Sequence, residues 1–150
     1  MVDERKYTSR RQGITKALAD KLALIDGRGL YKQSVAETSP KLKFWDEVEE
    51  FPAIHLNAGS ETREYQTSGY KDRFLQVTIR CYVNEEDAQV ALGALLEDVE
   101  TVLEKHSRLT YFDSTFTKQA TQQITVISID TDEGVLEPLG VGEMVIEVRY

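Results

Sequence analysis

Apolar residues recur along this chain with two periods, and the change from one to the other marks out its elements. Ile14, Ala17, Leu18, Leu22 and Ile25 recur at helical spacing, which places them on one face of a helix over residues 13–25. Alanine and leucine favour that conformation, and Gly27 can adopt the left-handed backbone that ends it. Residues 31–38 predict a strand of weak pattern. Ser39 and Pro40 break it, because proline lacks a donor and restrains the residue before it. Residues 51–56 predict a second short strand, with proline tolerated near its start, and Asn57, Ala58 and Gly59 close it. Residues 60–72 are polar and mixed in charge, and predict a long hairpin connection.

Alternation is clearest over residues 73–83. Leu75, Val77, Ile79, Cys81 and Val83 point one way, and Gln76, Thr78 and Arg80 the other. Asn84 is placed to cap a second helix over residues 85–106, with Glu85, Glu86 and Asp87 where the helix dipole favours negative charge. Its stripe of Leu92, Leu95, Leu96, Val99, Val102 and Leu103 must lie on the sheet. Burying those side chains contributes on the order of 10 kcal/mol before conformational entropy is subtracted. A polar connection over residues 107–123 leads to a β-branched strand at 124–129 and a turn-rich loop at 130–140. A last strand over 141–150 puts Met144, Ile146, Val148 and Tyr150 on one face. The order α-β-β-β-α-β-β predicts an α+β fold, with a mostly antiparallel or mixed sheet of about five strands and two helices packed on one face.

The 150 residues suit one domain spanning the chain, with residues 1–12 as a polar N-terminal arm. One cysteine, Cys81, excludes an internal disulfide framework and a cysteine-rich zinc site. No run approaches the about 18 consecutive apolar residues of a membrane span, and the polar N-terminus does not read as a secretory signal. The net charge of −8, from 26 acids against 18 bases, disfavours nucleic-acid binding through phosphate contacts. Arg5, Lys6, Arg10 and Arg11 form the one basic cluster and read as a solvated tail.

A catalytic reading finds little to stand on. Nucleophilic hydrolysis needs a nucleophile with an oriented base, and neither His55 nor His106 has a partner visible in sequence. His106 reads as a helix-end cation that complements the dipole, and His55 as a surface or interface residue. Cys81 reads as a buried, inert thiol. Asp130, Asp132 and Gly134 resemble the start of a calcium loop, but the glycine falls one place early and Val141 stands where the terminal glutamate belongs. They read as a turn. Gly27-Arg-Gly29 follows a helix, not the strand that a dinucleotide fingerprint requires. The carboxylate pairs, such as Glu97 and Asp98, read as solvated helix faces. No catalytic, cofactor or metal site is expected, and Phe44 and Trp45 read as core or interface aromatics.

Two segments carry a resemblance: Phe51-Pro-Ala-Ile54 with Gly59-Ser-Glu61, and the strand-to-helix junction from Tyr82 to Ala88. With the element order around them, the chain resembles the tail terminator (tail completion) proteins of long-tailed bacteriophages. The resemblance implies a structural virion protein with no enzymatic role. It would form a hexameric ring of its own copies on the finished tail tube, stop the tube's polymerisation and present a surface to a head-completion or connector protein. It further implies residence in the virion tail after assembly in the host cytoplasm, with no membrane partner. DNA would pass through the ring without specific binding, and an acidic lumen would discourage phosphates from sticking.

Within that reading, the polar connection is the candidate protein interface. It offers Glu61, Arg63, Glu64, Tyr65, Tyr70, Lys71 and Arg73, with Asp72 between them, and tyrosine and arginine are favoured at interfaces. Another connector or neck protein of the same particle is the nearest alternative. A cellular α/β ligand-binding module or a small enzyme is the alternative of a different class.

Overall fold

The computed structural model describes residues 8–150. In chain order its elements are α1 (Arg10–Leu22), β1 (Glu37–Ser39), a 3-10 turn (Trp45–Glu47), β2 (Ala53–Tyr65), β3 (Lys71–Asn84), α2 (Ala88–Lys105), β4 (Thr110–Phe112), β5 (Lys118–Ala120), β6 (Gln123–Thr131) and β7 (Leu139–Arg149). The main sheet runs β1-β2-β3-β7-β6, and β4 and β5 form a separate two-stranded ribbon. Only β1 and β2 are parallel; the other three pairings are antiparallel. This is the expected α+β architecture and element order, with the β4–β5 ribbon added.

Both helices cover one face of the sheet. Leu75, Val77, Ile79, Cys81 and Val83 of β3 and Met144, Ile146 and Val148 of β7 are buried, as are Ile14, Leu18 and Leu22 of α1 and the apolar stripe of α2. The core therefore consumes the two periodicities read from the sequence. On the opposite face a smaller cluster of Val48, Ala53 and Tyr82, with Phe51 and Val141 against it, covers one end of the sheet. Farther along, that face is open among the described residues, with Thr62, Gln76 and Ser128 exposed.

Several boundaries moved. Ser9 caps α1 by accepting from the Gln12 N–H at 3.2 Å, so Arg10, Arg11 and Gln12 are helical and not part of an arm. Arg5 and Lys6 lie outside the described residues. Gly27 does have a positive φ of 75°, but in the turn beyond the helix, where Asp26 accepts from the Arg28 N–H. Asn84 ends β3 and does not cap α2, which opens at Ala88 after a turn. Of the weak 31–38 segment only Glu37 and Thr38 are in a strand, and Ser39, expected to break it, completes β1.

The histidines also differ from expectation. His55 is fully buried, with Nε2 2.8 Å from Glu37 Oε2 and its ring tilted against Tyr82. His106 does sit at the α2 C-cap. Burial, then Lys21 and Lys105, push its pKa down. Cys81 is buried, and burial pushes its thiol up to about 12. Asp132 ties the β6–β7 turn, accepting from the Leu136 and Val141 N–H groups and from Gln89. Phe44 is exposed, not a core aromatic.

One buried charge organises the helix layer. Asp98, inside the α2 stripe, accepts from the Lys32 N–H at 2.9 and 3.0 Å and from the Gln33 N–H at 2.7 Å. It pins the α1–β1 connection to α2. Close approach of α2 to β7 depends on glycine: a Cβ on Gly140 would lie 2.7 Å from Val83 Cγ2 and 3.3 Å from Ala88 Cβ. Gly140→Ala should therefore cost about 1–3 kcal/mol through overpacking. A shift of the urea midpoint at unchanged slope checks this, and an unshifted midpoint would contradict the packing described.

Candidate assembly surface

The segment expected to be a loop is mostly strand. β2 and β3 stay paired from Ala53↔Tyr82 out to Tyr65↔Lys71, leaving residues 66–70 as the turn. There the Gln66 N–H donates to Tyr70 O, and Gly69 takes a φ of 82°. On one side β1 pairs only as far as His55, and on the other β7 pairs only as far as Phe74. The end of the hairpin therefore projects past the rest of the sheet as a two-stranded ribbon. Extension of these polar residues follows from the register: once Leu56 and Leu75 are buried in the core, continued pairing satisfies the backbone of the strands beyond them.

The structure divides the seven candidate residues into anchors and an exposed tip. Glu61 and Arg73 are anchors, as is Asp72 between the others. The Tyr150 hydroxyl donates to Glu61, whose side chain is 7% exposed and also accepts from Arg63 Nε at 2.8 Å. The Arg73 guanidinium lies 5.6 Å from the Tyr150 ring centroid and that of Arg10 lies 4.9 Å from it. Tyr111 meets the same ring edge-on, at 6.5 Å, while its hydroxyl accepts from Arg10 Nε at 3.0 Å. Asp72 is buried against Arg149, with Arg149 Nη2 3.0 Å from Oδ2. Arg11 donates to the Gly59 carbonyl at the bulge in β2. The hairpin base is thus tied to α1, β4 and the last residue of the chain.

Arg63, Glu64, Tyr65 and Tyr70 are exposed, and Lys71 is half-buried with its ammonium 5.6 Å from the Tyr65 ring centroid. Tyr65 is 71% exposed and Tyr70 56%. The tip thus offers two aromatic rings and two cations on a backbone that strand pairing holds in place. Sequence does not show Tyr150, Arg10 and Tyr111 as part of this site because their partners are distant in the chain: 89 residues separate Tyr150 from Glu61, and 101 separate Arg10 from Tyr111.

Burial alone would raise the Glu61 carboxyl, but hydrogen bonds from Tyr150 and Arg63 and the charges of Arg63 and Arg11 outweigh it and hold it below its ordinary value. Burial, then the Glu61 carboxylate, push the Tyr150 hydroxyl up to about 12. A hydrogen bond with His55 likewise lowers Glu37. Carboxyls with depressed pKa stabilise the fold above the unfolded value of 4.5 and lose that contribution as pH falls through the folded one. Glu61→Gln should therefore flatten the acid limb of the stability–pH curve and cost about 1 kcal/mol near neutrality. Thermal unfolding from pH 7 down to pH 3 reads this out, and an unchanged acid limb would contradict the anchor.

A second exposed region lies at the far edge of the sheet. Ile127 of β6 is 56% exposed, and Val126 and Ile129 are exposed as well. Val135 and Leu136 in the β6–β7 turn are exposed too. A shallow depression on the open face is lined by Ser60, Thr62, Phe74, Gln76, Ile127 and Glu147, so it spans the sheet from β2 to β6. Among the described residues no group of three His, Cys, Asp or Glu side chains could hold a metal ion.

Comparison with known proteins places these features in context. Residues 8–150 match the family described as Bacteriophage Tail Tube Terminator Protein. The tail tube terminator protein p142 of Escherichia phage T5 is 33% identical, over 93% of this chain and 92% of that protein. A chain from the virion of a native gene transfer agent particle shares the fold, with a TM-score of 0.57 at 11% identity, over 91% of this chain and 93% of the other.

Proposed function

We propose that this chain, which belongs to the bacteriophage tail tube terminator protein family, ends tube growth by closing a ring of its own copies, a hexamer, over the last layer of tube. As a tail terminator it is a structural component of the virion tail. Its relatives are structural tail proteins, not enzymes. In this reading the ring assembles in the host cytoplasm, the hairpin tip contacts a neighbouring copy or the tube, and the head-side surface receives a connector protein. The observation that carries the assignment of the tip is the projecting ribbon. Tyr65, Tyr70 and Arg63 are exposed there, while Glu61, Asp72 and Arg73 fix its base. Such a ribbon presents aromatic and arginine anchors with little entropy left to lose on docking.

The excess of acids, 26 against 18 bases, suits a ring through which DNA passes, since a negative lumen repels phosphates. Purified tube protein polymerising in the presence of this chain tests the proposal. Tubes should stop at lengths that shorten as the chain is added. Tubes that grow as long with it as without it would refute termination, and binding to heads but not to tubes would favour the neck-protein alternative.

A further inference from the structure

We infer that copies of this chain join by strand addition, β6 of one copy pairing antiparallel with the distal half of β2 in the next; this rests on the ring reading above and specifies its contact. Among the described residues β6 is the last strand of the sheet, so one side of its backbone has no strand partner there. Two of its three core-face side chains are also uncovered, while Ile124 packs against the core. Ile124, Val126 and Ile129 stand opposite Val148, Ile146 and Met144, which are fully buried. α2 packs chiefly over β3 and β7, leaving Val126 and Ile129 exposed, and Ile127 is exposed at the bulge. Edge strands are ordinarily guarded by lysine, proline or a covering loop. β6 has neither lysine nor proline, and Asp130 is its one charge.

The matching edge lies at the other side of the same sheet. β1 covers β2 only from Ala53 to His55, and Arg11 holds the Gly59 carbonyl. Among the described residues, β2 from there to Tyr65 has a strand neighbour only on its β3 side. Two unlike edges on one chain give a head-to-tail contact, and such contacts close rings, whereas β6 paired with a second β6 would stop at two copies. Strand direction agrees. β3 is antiparallel to β2, β7 to β3 and β6 to β7, so β6 runs opposite to β2. Rotation about an axis along the strands preserves that relation, and β6 meets the next copy's β2 antiparallel. The open face then continues from copy to copy, with Thr125, Ser128 and Asp130 on the same side as Thr62 and Glu64.

Cysteine pairing tests the contact, since the native Cys81 is buried and will not compete. Thr62→Cys is combined in turn with Thr125→Cys, Ser128→Cys and Asp130→Cys, and each chain is mildly oxidised in the presence of assembled tail tubes. At least one combination should give a ladder of crosslinked species beyond the dimer, while each single-cysteine chain stays uncrosslinked. Separately, Val126→Lys with Ile129→Lys should weaken ring formation about 100-fold while leaving the far-ultraviolet circular dichroism of the chain unchanged. No ladder from any combination, a crosslinked dimer from a β6 cysteine alone, or normal rings from the lysine variant would each overturn the inference. Should the lysine variant misfold, the cysteine series decides. Rings formed by the unaltered chain alongside any of those results would leave the proposed function standing. An unaltered chain that forms no ring, with or without tubes, would remove both.

Discussion

Asp98→Ala is expected to lower the unfolding free energy by about 3 kcal/mol, a large fraction of the stability of a typical domain. A carboxylate in the middle of an apolar helix stripe looks like a defect. In this fold it is the acceptor for two backbone N–H groups, those of Lys32 and Gln33, in the connection between α1 and β1. Neither donor is in a helix or strand, so no ladder partner replaces the carboxylate when it is removed. Each part-buried donor left without its acceptor costs about 1 kcal/mol or more, and truncation also removes a buried side chain from the α2 face. In a protein of this size the thermal midpoint should fall by roughly 10 °C. Asp98→Asn keeps one acceptor oxygen and should recover part of the loss. Calorimetry on both variants decides; an unshifted midpoint for Asp98→Ala would mean that the connection is held by something else.

The second large effect is on assembly and leaves stability nearly untouched. Replacing Arg63, Tyr65 and Tyr70 together by alanine should weaken ring formation or tube capping by about 10⁴-fold, since aromatic and arginine anchors contribute about 2 kcal/mol or more each where they are buried in an interface. The same changes should alter unfolding by less than about 1.5 kcal/mol, because exposed substitutions typically stay within about 0.5 kcal/mol apiece. Losses within the free chain are limited. Arg63 gives up its ion pair with Glu61, and Tyr70 its hydrogen bond from Gln122. Glu61 keeps the Tyr150 hydroxyl. A triple variant that caps tubes normally would remove the tip from the contact surface.

What could be read from the sequence follows from which interactions are local. The β3 alternation, the α2 stripe and the final strand were legible because burial acts on every second residue, or every third and fourth, of one segment. β4 and β5 were not legible. They lie in a polar stretch, and their hairpin is held by Asp113 accepting from the Thr115 and Thr117 N–H groups, which reads as an ordinary polar turn. Extension of β2 and β3 through residues 60–65 and 71–72 was hidden for a related reason: no apolar alternation marks strands that leave the core. His55 looked like a surface residue because its partner, Glu37, sits on a strand three residues long whose pattern is weak.

Within the candidate interface, sequence alone does not sort anchors from exposed residues. Glu61, Asp72 and Arg73 look the same in sequence as Arg63, Glu64 and Lys71. They become anchors only because the last strand brings Arg149 and Tyr150 beside the hairpin. The exposed edge at Val126, Ile127 and Ile129 was hidden in the opposite sense. A β-branched run predicts a strand without revealing that α2 fails to cover it.

Closure over the end of a tube is the proposed action on which the other assembly effects depend. Electron microscopy of tubes grown from purified tube protein and then mixed with this chain tests it most directly. A closed ring at one end of each tube, with bare walls, is the predicted result. Copies scattered along the walls, or tubes with no added density at either end, would contradict it.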